Sequence, residues 1–230
     1  MILLSLLLHL SAIAGDEFSE NFERGLCLGS CRGWNWASSQ QIDGRLDVVP
    51  GRAGKVLRAR TQARAQRVPK AALIARPAKL TPGATVRVAF DLMVPQGAPL
   101  NSIHLVDLEC ASCGEEGNPG IRLYLRHGRL RIDRSKIGRF PTWTDNEATP
   151  LRHGRWHRIE LDIRSGFGDG GWAHARLDGA TVLRGRGDTI VRPGGGAEAG
   201  ADRIQIGLTA SSNSGPATAY FDNVRVTVAR

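Results

Sequence analysis

Two runs of this chain, Trp156–Leu161 and Trp172–Leu177, alternate apolar and polar residues. A side-chain period of two belongs to strands with one buried face. A glycine-rich stretch separates the runs, and Asp178-Gly179 closes the second; that dipeptide favours a tight hairpin. Residues 154–183 therefore read as a β-meander, with Trp156 and Trp172 taken as core positions and His157 and His174 placed on its outward face. Further strands are expected at Arg45–Val49, Lys55–Arg60, Ala71–Arg76, Ala84–Val94, Ser102–Glu109, Ile121–Arg126, Arg129–Asp133, Arg203–Thr209 and Ala217–Val228. The last of these slips by one residue at Asp222-Asn223, which suggests a bulge. No helix longer than a turn or two is expected, and Trp34, Trp36 and Trp143 fall in expected loops. Many short strands between Gly, Pro and Asn turns mean an all-β sandwich, jelly roll or barrel.

Met1–Ala14 is apolar, Leu-rich and ends in Ala12-Ile13-Ala14. It reads as a secretory signal peptide cut near Ala14–Gly15, too short to span a bilayer. The remainder, 15–230, suits one domain. Pro193–Gly200 reads as a surface loop. A secreted or periplasmic protein is expected, without a membrane span and as a monomer.

The formal net charge is +9, carried mostly by arginine. A basic surface attracts polyanions. Export excludes nucleic acid as the natural partner and favours an acidic polysaccharide; a GC-rich genome would produce the same arginine bias without any ligand. The four cysteines form two close pairs, Cys27/Cys31 and Cys110/Cys113. In an exported chain they read as disulfides, in any of three connectivities. A four-thiolate zinc site has compatible spacing but suits an oxidising compartment poorly.

The meander, G-x-W-H-x-(apolar)-x-(apolar), a turn, then (apolar)-x-(apolar)-D-G, resembles the back sheet of concanavalin A-like jelly rolls. The chain ends resemble them too, with Asn21-Phe22-Glu23-x-Gly25 near the start and Phe221-Asp222-Asn223-Val224 near the finish. The resemblance implies a jelly-roll β-sandwich of two antiparallel sheets whose terminal strands lie side by side. It also implies a possible structural calcium held by Glu23 and Asp222, with carbonyls and water completing its shell; no other cofactor is implied.

The middle of the chain is similar to heparin lyase I-like and alginate lyase-like polysaccharide lyases. Val86–Pro95 followed by Asn101-Ser102-Ile103-His104 resembles their strand ending in Pro before Q-x-H. That places His104 at the catalytic histidine and Ser102 at the substrate-binding glutamine, on one face of a strand by alternation. Arg122, Tyr124 and Arg126 share a strand face, with Lys136 beyond. Such a row suits an acidic chain. The late K-x-G-x-Y motif of these lyases is Gln205-Ile206-Gly207-Leu208-Thr209 here. Gly207 is kept, Gln205 replaces Lys, and Thr209 replaces the catalytic Tyr, a role Tyr124 or Tyr220 would have to fill. Trp143 could line the same groove or plug the sandwich edge.

The resemblance implies β-elimination of a uronic-acid polymer, with His104 and Tyr124 moving protons. A noncatalytic glycan-binding domain or an envelope structural domain is the alternative. Hydrolysis needs two acids at a set separation. Asp107 and Glu109 are the nearest approach to a glucanase motif, but its third acid is missing.

Overall fold

A computed structural model describes residues 16–29, 36–113, 117–192 and 199–230. Two antiparallel sheets face each other. The outer sheet runs, in spatial order, β13 (Ala180–Arg186), β12 (Trp172–Leu177), β11 (His157–Arg164), β6 (Thr85–Met93), β15 (Ala217–Ala229), β4 (Gly54–Thr61) and β3 (Gly44–Gly51), with β1 (Asp16–Glu20) also on β15. The other sheet, called the groove sheet because the residues expected to line a groove fall on it, runs β10 (Trp143–Thr144), β9 (Arg129–Asp133), β8 (Gly120–Arg126), β7 (Ile103–Glu109), β14 (Arg203–Ser211), β5 (Lys70–Ala75) and β2 (Trp36–Ile42). This is the expected jelly-roll sandwich. Among the described residues the only helices are two short 3-10 turns, Ser135–Ile137 and Gly168–Gly170, and none is long and apolar enough to cross a membrane.

One apolar layer between the sheets sets the phase of every strand. Phe90 and Phe221 pack at 5.6 Å between ring centroids, and Phe18 meets Trp36 edge-on at 5.4 Å across the two sheets. Trp36, Phe22, Phe90 and Phe221 are fully buried. Trp36 thus opens a strand and anchors the core; it is not in a loop.

The meander is present, but its phase differs from the expected one. His157, Ile159, Leu161 and Ile163 point inward on β11, as do Ala173, Ala175 and Leu177 on β12. Trp156 precedes β11, out of phase with those inward positions, and is only half-buried. Trp172 stands on the outward face of β12 with His174, stacked on it at 4.7 Å. His157 is buried: the Arg152 amide donates to its Nε2 (3.1 Å), so its Nδ1 carries the proton and donates to Asp178 (2.8 Å). Asp178 and Gly179 both adopt positive φ, as the tight hairpin between β12 and β13 requires.

The chain ends pair as expected, β1 lying antiparallel to β15 from Asp16–Val228 to Glu20–Val224. The slip in β15 is a register shift between Asp222 and Arg225, with Asn223 at positive φ. Cys110 and Cys113 form a disulfide, which excludes both cross-bridged connectivities. Cys27 is also disulfide-bonded; Cys31, Trp34 and the leader segment 1–14 lie outside the described residues.

Truncating Phe221 to Ala removes an inter-sheet contact that nothing else can fill. A loss of about 3–5 kcal/mol is expected, measured by urea denaturation. A loss below about 1 kcal/mol would mean the layer repacks freely around the site.

Candidate functional site

The outward face of the groove sheet collects most of the residues singled out by sequence. Strand pairing sets Arg122 opposite Asp133, Tyr124 opposite Arg131, and Arg126 opposite Arg129. His104 lies opposite Tyr124, their rings stacked at 5.2 Å and 24°. A bulge makes this possible. Register shifts between His104 and Val106, so Leu105 and Val106 both turn into the core while His104 and Asp107 face the groove. Bulges commonly re-aim a side chain in this way.

Ser102 does not share that strand face. It precedes β7 with φ +53°, and accepts a hydrogen bond from the Asn101 amide at 3.1 Å. Alternation holds only in extended chain, and the turn interrupts it. Trp143 stands at the edge of the sandwich. Arg134 lies 4.0 Å over its ring, and a Cβ on Gly185 would collide with the ring at 2.1 Å. It closes the gap between β10 and β13.

Beneath the groove lies a buried polar network that sequence reading did not foresee. Asp107 accepts a hydrogen bond from the Thr209 hydroxyl at 2.8 Å. Glu109 pairs with Lys136 and accepts the Gln205 amide at 2.8 Å, with Arg203 at 3.7 Å. Asp107, Glu109, Gln205 and Thr209 are all buried. Arg122 is tied to Asp133 and to Ser135. Gly207 permits this packing: its φ is +136°, and a Cβ there would sit 2.5 Å from the Ala71 carbonyl oxygen. The only advance signal for the network was the spacing of Asp107 and Glu109 opposite Gln205 and Thr209.

Burial pushes the Asp107 carboxyl up to about 6, and the neighbouring Glu109 adds to the shift. Burial pushes His104 down to about 4, helped by the positive charge of Arg122. Its Nδ1 is sealed from solvent without a hydrogen-bond partner. At neutral pH His104 is therefore an uncharged imidazole.

Several cations around this network carry no carboxylate. Lys70 and Arg126 have no ion pair among the described residues. Arg129 donates to the Ala148 carbonyl (2.9 Å) and Arg131 to the Asn146 side chain (2.9 Å). Neutral acceptors leave their charge uncompensated, so the rim of the groove is electropositive.

On the outer sheet, Asn21, Glu23, Asp91, Asp222 and Asn223 line one pocket of about 390 Å³. The Glu23 carboxylate accepts the Lys55 amide at 2.9 Å; Asp91 holds Arg158 and the Asn223 amide. Burial raises Asp222, with Asp91 and Glu23 adding negative charge beside it. Among the described residues no three metal-ligating side chains converge. The donors are the hard oxygens calcium prefers, but a full shell would need carbonyls and water.

Comparison of the whole structure with solved ones shows that the fold is shared. The chain is similar to an endo-β-1,4-glucuronan lyase from the fungus Trichoderma reesei, at 15% identity and TM-score 0.66 over 84% of this chain and 90% of that one. The fold is that of polysaccharide lyases. The alginate lyase Aly36B is similar at 12% identity and TM-score 0.58, covering 91% and 96% of the two chains. The cellulose-induced protein Cip1 is similar at 13% identity and TM-score 0.59, covering 92% and 96%. No family model and no curated protein sequence matches.

The two shifted groups oppose each other in pH dependence. Folded Asp107 holds more protons than the unfolded chain between its ordinary value of 3.8 and about 6, so stability falls as pH rises through that window. Folded His104 holds fewer between about 4 and its ordinary 6.5, so stability rises there. Asp107→Asn should expose a rise, and His104→Gln a fall, each on the order of 3 kcal/mol. Denaturant melts from pH 4 to about 7 check this; parallel profiles in both variants would contradict the assignment.

Proposed function

We propose that this protein is an exported jelly roll that binds an acidic, uronic-acid-containing polysaccharide along the groove sheet. The observation carrying this reading is the division of charge on that face. Arg122 and Lys136 are neutralised by Asp133 and Glu109, while Lys70 and Arg126 are left without carboxylates. Inner cations hold the site's shape, and rim cations remain for a ligand's carboxylates. Tyr124, half-exposed beside them, offers a ring face for a sugar. The fold shared with alginate and glucuronan lyases supports the ligand class, and the Cys110–Cys113 disulfide supports export. Every groove residue comes from one chain, so a monomer suffices.

Binding is favoured over cleavage by Thr209. It replaces the phenol expected at that position, is buried, and already donates to Asp107. An aliphatic hydroxyl cannot exchange a proton near neutral pH as a phenol can. One observation favours a second reading: neutral His104 stacked on Tyr124. In β-elimination His104 would take the C5 proton of a uronate, the C5–H electron pair would form a C4=C5 double bond as the C4–O bond breaks, and Tyr124 would protonate the departing oxygen.

Electrophoretic retardation in gels containing alginate or polygalacturonate tests binding. Retardation by both polymers and none by a neutral glucan is expected, and Lys70→Ala/Arg126→Ala should weaken it by about tenfold. Absence of retardation by any acidic polymer would overturn the reading. Ultraviolet absorbance of an unsaturated product, lost in His104→Ala, would establish the cleaving version.

Calcium is a separate proposal for the Asp222 pocket, supported by the negative charge that Asp91 and Glu23 crowd beside it. Millimolar calcium should raise the melting temperature of the wild type and not of Asp222→Asn. Equal response in both would remove Asp222 and Glu23 from the site.

A further inference from the structure

The outer sheet carries a second aromatic and basic surface, on the opposite side of the molecule from the groove. Two register rows cross five strands there. The first runs Arg184, His174, Asp162, Arg87, Thr227; the second runs Arg186, Trp172, Arg164, Thr85, Ala229. All these side chains alternate with buried neighbours and so stand outward. A trench of about 520 Å³ follows the rows from Trp172 and His174 over Asp162 to Thr85 and Thr227.

Its chemistry is that of a carbohydrate site. Trp172 and His174 stack as one aromatic wall. A half-exposed tryptophan on an open sheet costs solvation that the core could have relieved, and it offers a flat apolar face. The floor is built from hydroxyls, a methyl and a carboxylate. Asp162 is held by Arg87 at 2.5 Å and Arg176 at 2.9 Å, so its orientation is preset. Among the described residues, Arg164 and Arg186 donate to the carbonyls of Gly170 (3.0 Å) and Asp169 (3.4 Å) and to no carboxylate. Arg184 has no carboxylate partner among the described residues. Burial, and then the field of Arg184, lower His174, which keeps the aromatic wall uncharged at neutral pH.

We propose that Trp172, His174, Arg164, Arg184 and Arg186 form a second binding site for an acidic polysaccharide chain, running across the strands of the outer sheet. The geometry suits such a chain, since a pyranose repeat of about 5 Å matches the strand spacing of about 4.8 Å. Each sugar would then meet one strand. The Asp162 carboxylate, already paired with Arg87 and Arg176, still offers oxygens that accept from sugar hydroxyls, which a deoxyribose-phosphate backbone lacks, so a glycan is preferred to DNA. The site stands on its own residues and does not need the groove to bind. Together the two faces would let one molecule bridge two polymer chains, or hold one chain while engaging another.

The groove-disabled variant Lys70→Ala/Arg126→Ala separates this site from the first. Tryptophan fluorescence of that variant is titrated with oligogalacturonate, with neutral dextran oligomers and single-stranded oligo(dT) as comparisons. A saturable change with oligogalacturonate is expected. It should weaken about tenfold in Arg184→Ser/Arg186→Ser and vanish in Trp172→Ala, with melting curves confirming that both variants fold. Three outcomes would overturn the proposal: no change in the groove-disabled protein, an unchanged signal in Trp172→Ala, or tighter binding of oligo(dT) than of oligogalacturonate. Gel retardation that Lys70→Ala/Arg126→Ala leaves unchanged, with the Trp172 signal retained, would refute the first site alone.

Discussion

Everything accessible on this molecule is decided by the apolar layer between its sheets. A strand has two faces, and whichever set of alternate residues is more apolar goes inside. On β12 that set is Ala173, Ala175 and Leu177, so the large Trp172 is left outside with His174 and Arg176. On β8 it is Ile121, Leu123 and Leu125, which turns Arg122, Tyr124 and Arg126 to the groove. The two proposed binding faces are the complements of one buried layer.

The groove sheet shows how such a face can be polar and still stable. Burying Asp107 and Glu109 is costly unless each finds partners. Thr209 and Gln205 on β14 and Lys136 beyond β9 supply them. The late-strand residues that depart from the lyase motif are therefore members of an internal network, and they are unavailable to a substrate. This changes what the substitutions mean. Thr209 is a hydrogen-bond partner matched to a buried acid on the neighbouring strand.

Much of the fold was legible in the chain. Eleven of the expected strands appear with only small shifts at their ends, because each carries clear alternation bounded by turn residues. The strands that escaped notice were β1, β2, β10 and β13. β10 is two residues long, and β2 is polar at four successive positions, Ser38, Ser39, Gln40 and Gln41, which hides its alternation. The position of Ser102 failed for a local reason, since a positive φ breaks alternation without any glycine to announce it. The phase of Trp156 and Trp172 failed because size was allowed to outweigh the consistency of the smaller apolar residues beside them.

By itself the sequence determined an all-β chain, its hairpins and a basic, arginine-rich composition, and its resemblance to concanavalin A-like domains implied the jelly roll and the pairing of its ends. The first three follow from period-two patterning, turn chemistry and composition, all of which are local or summed quantities. Only the tertiary structure decided which cations are free. Arg122 and Arg126 look alike in sequence, yet one faces Asp133 across a strand pair and the other faces Arg129. Pairing with a carboxylate depends on register between distant strands, and register is set by packing of the whole sandwich.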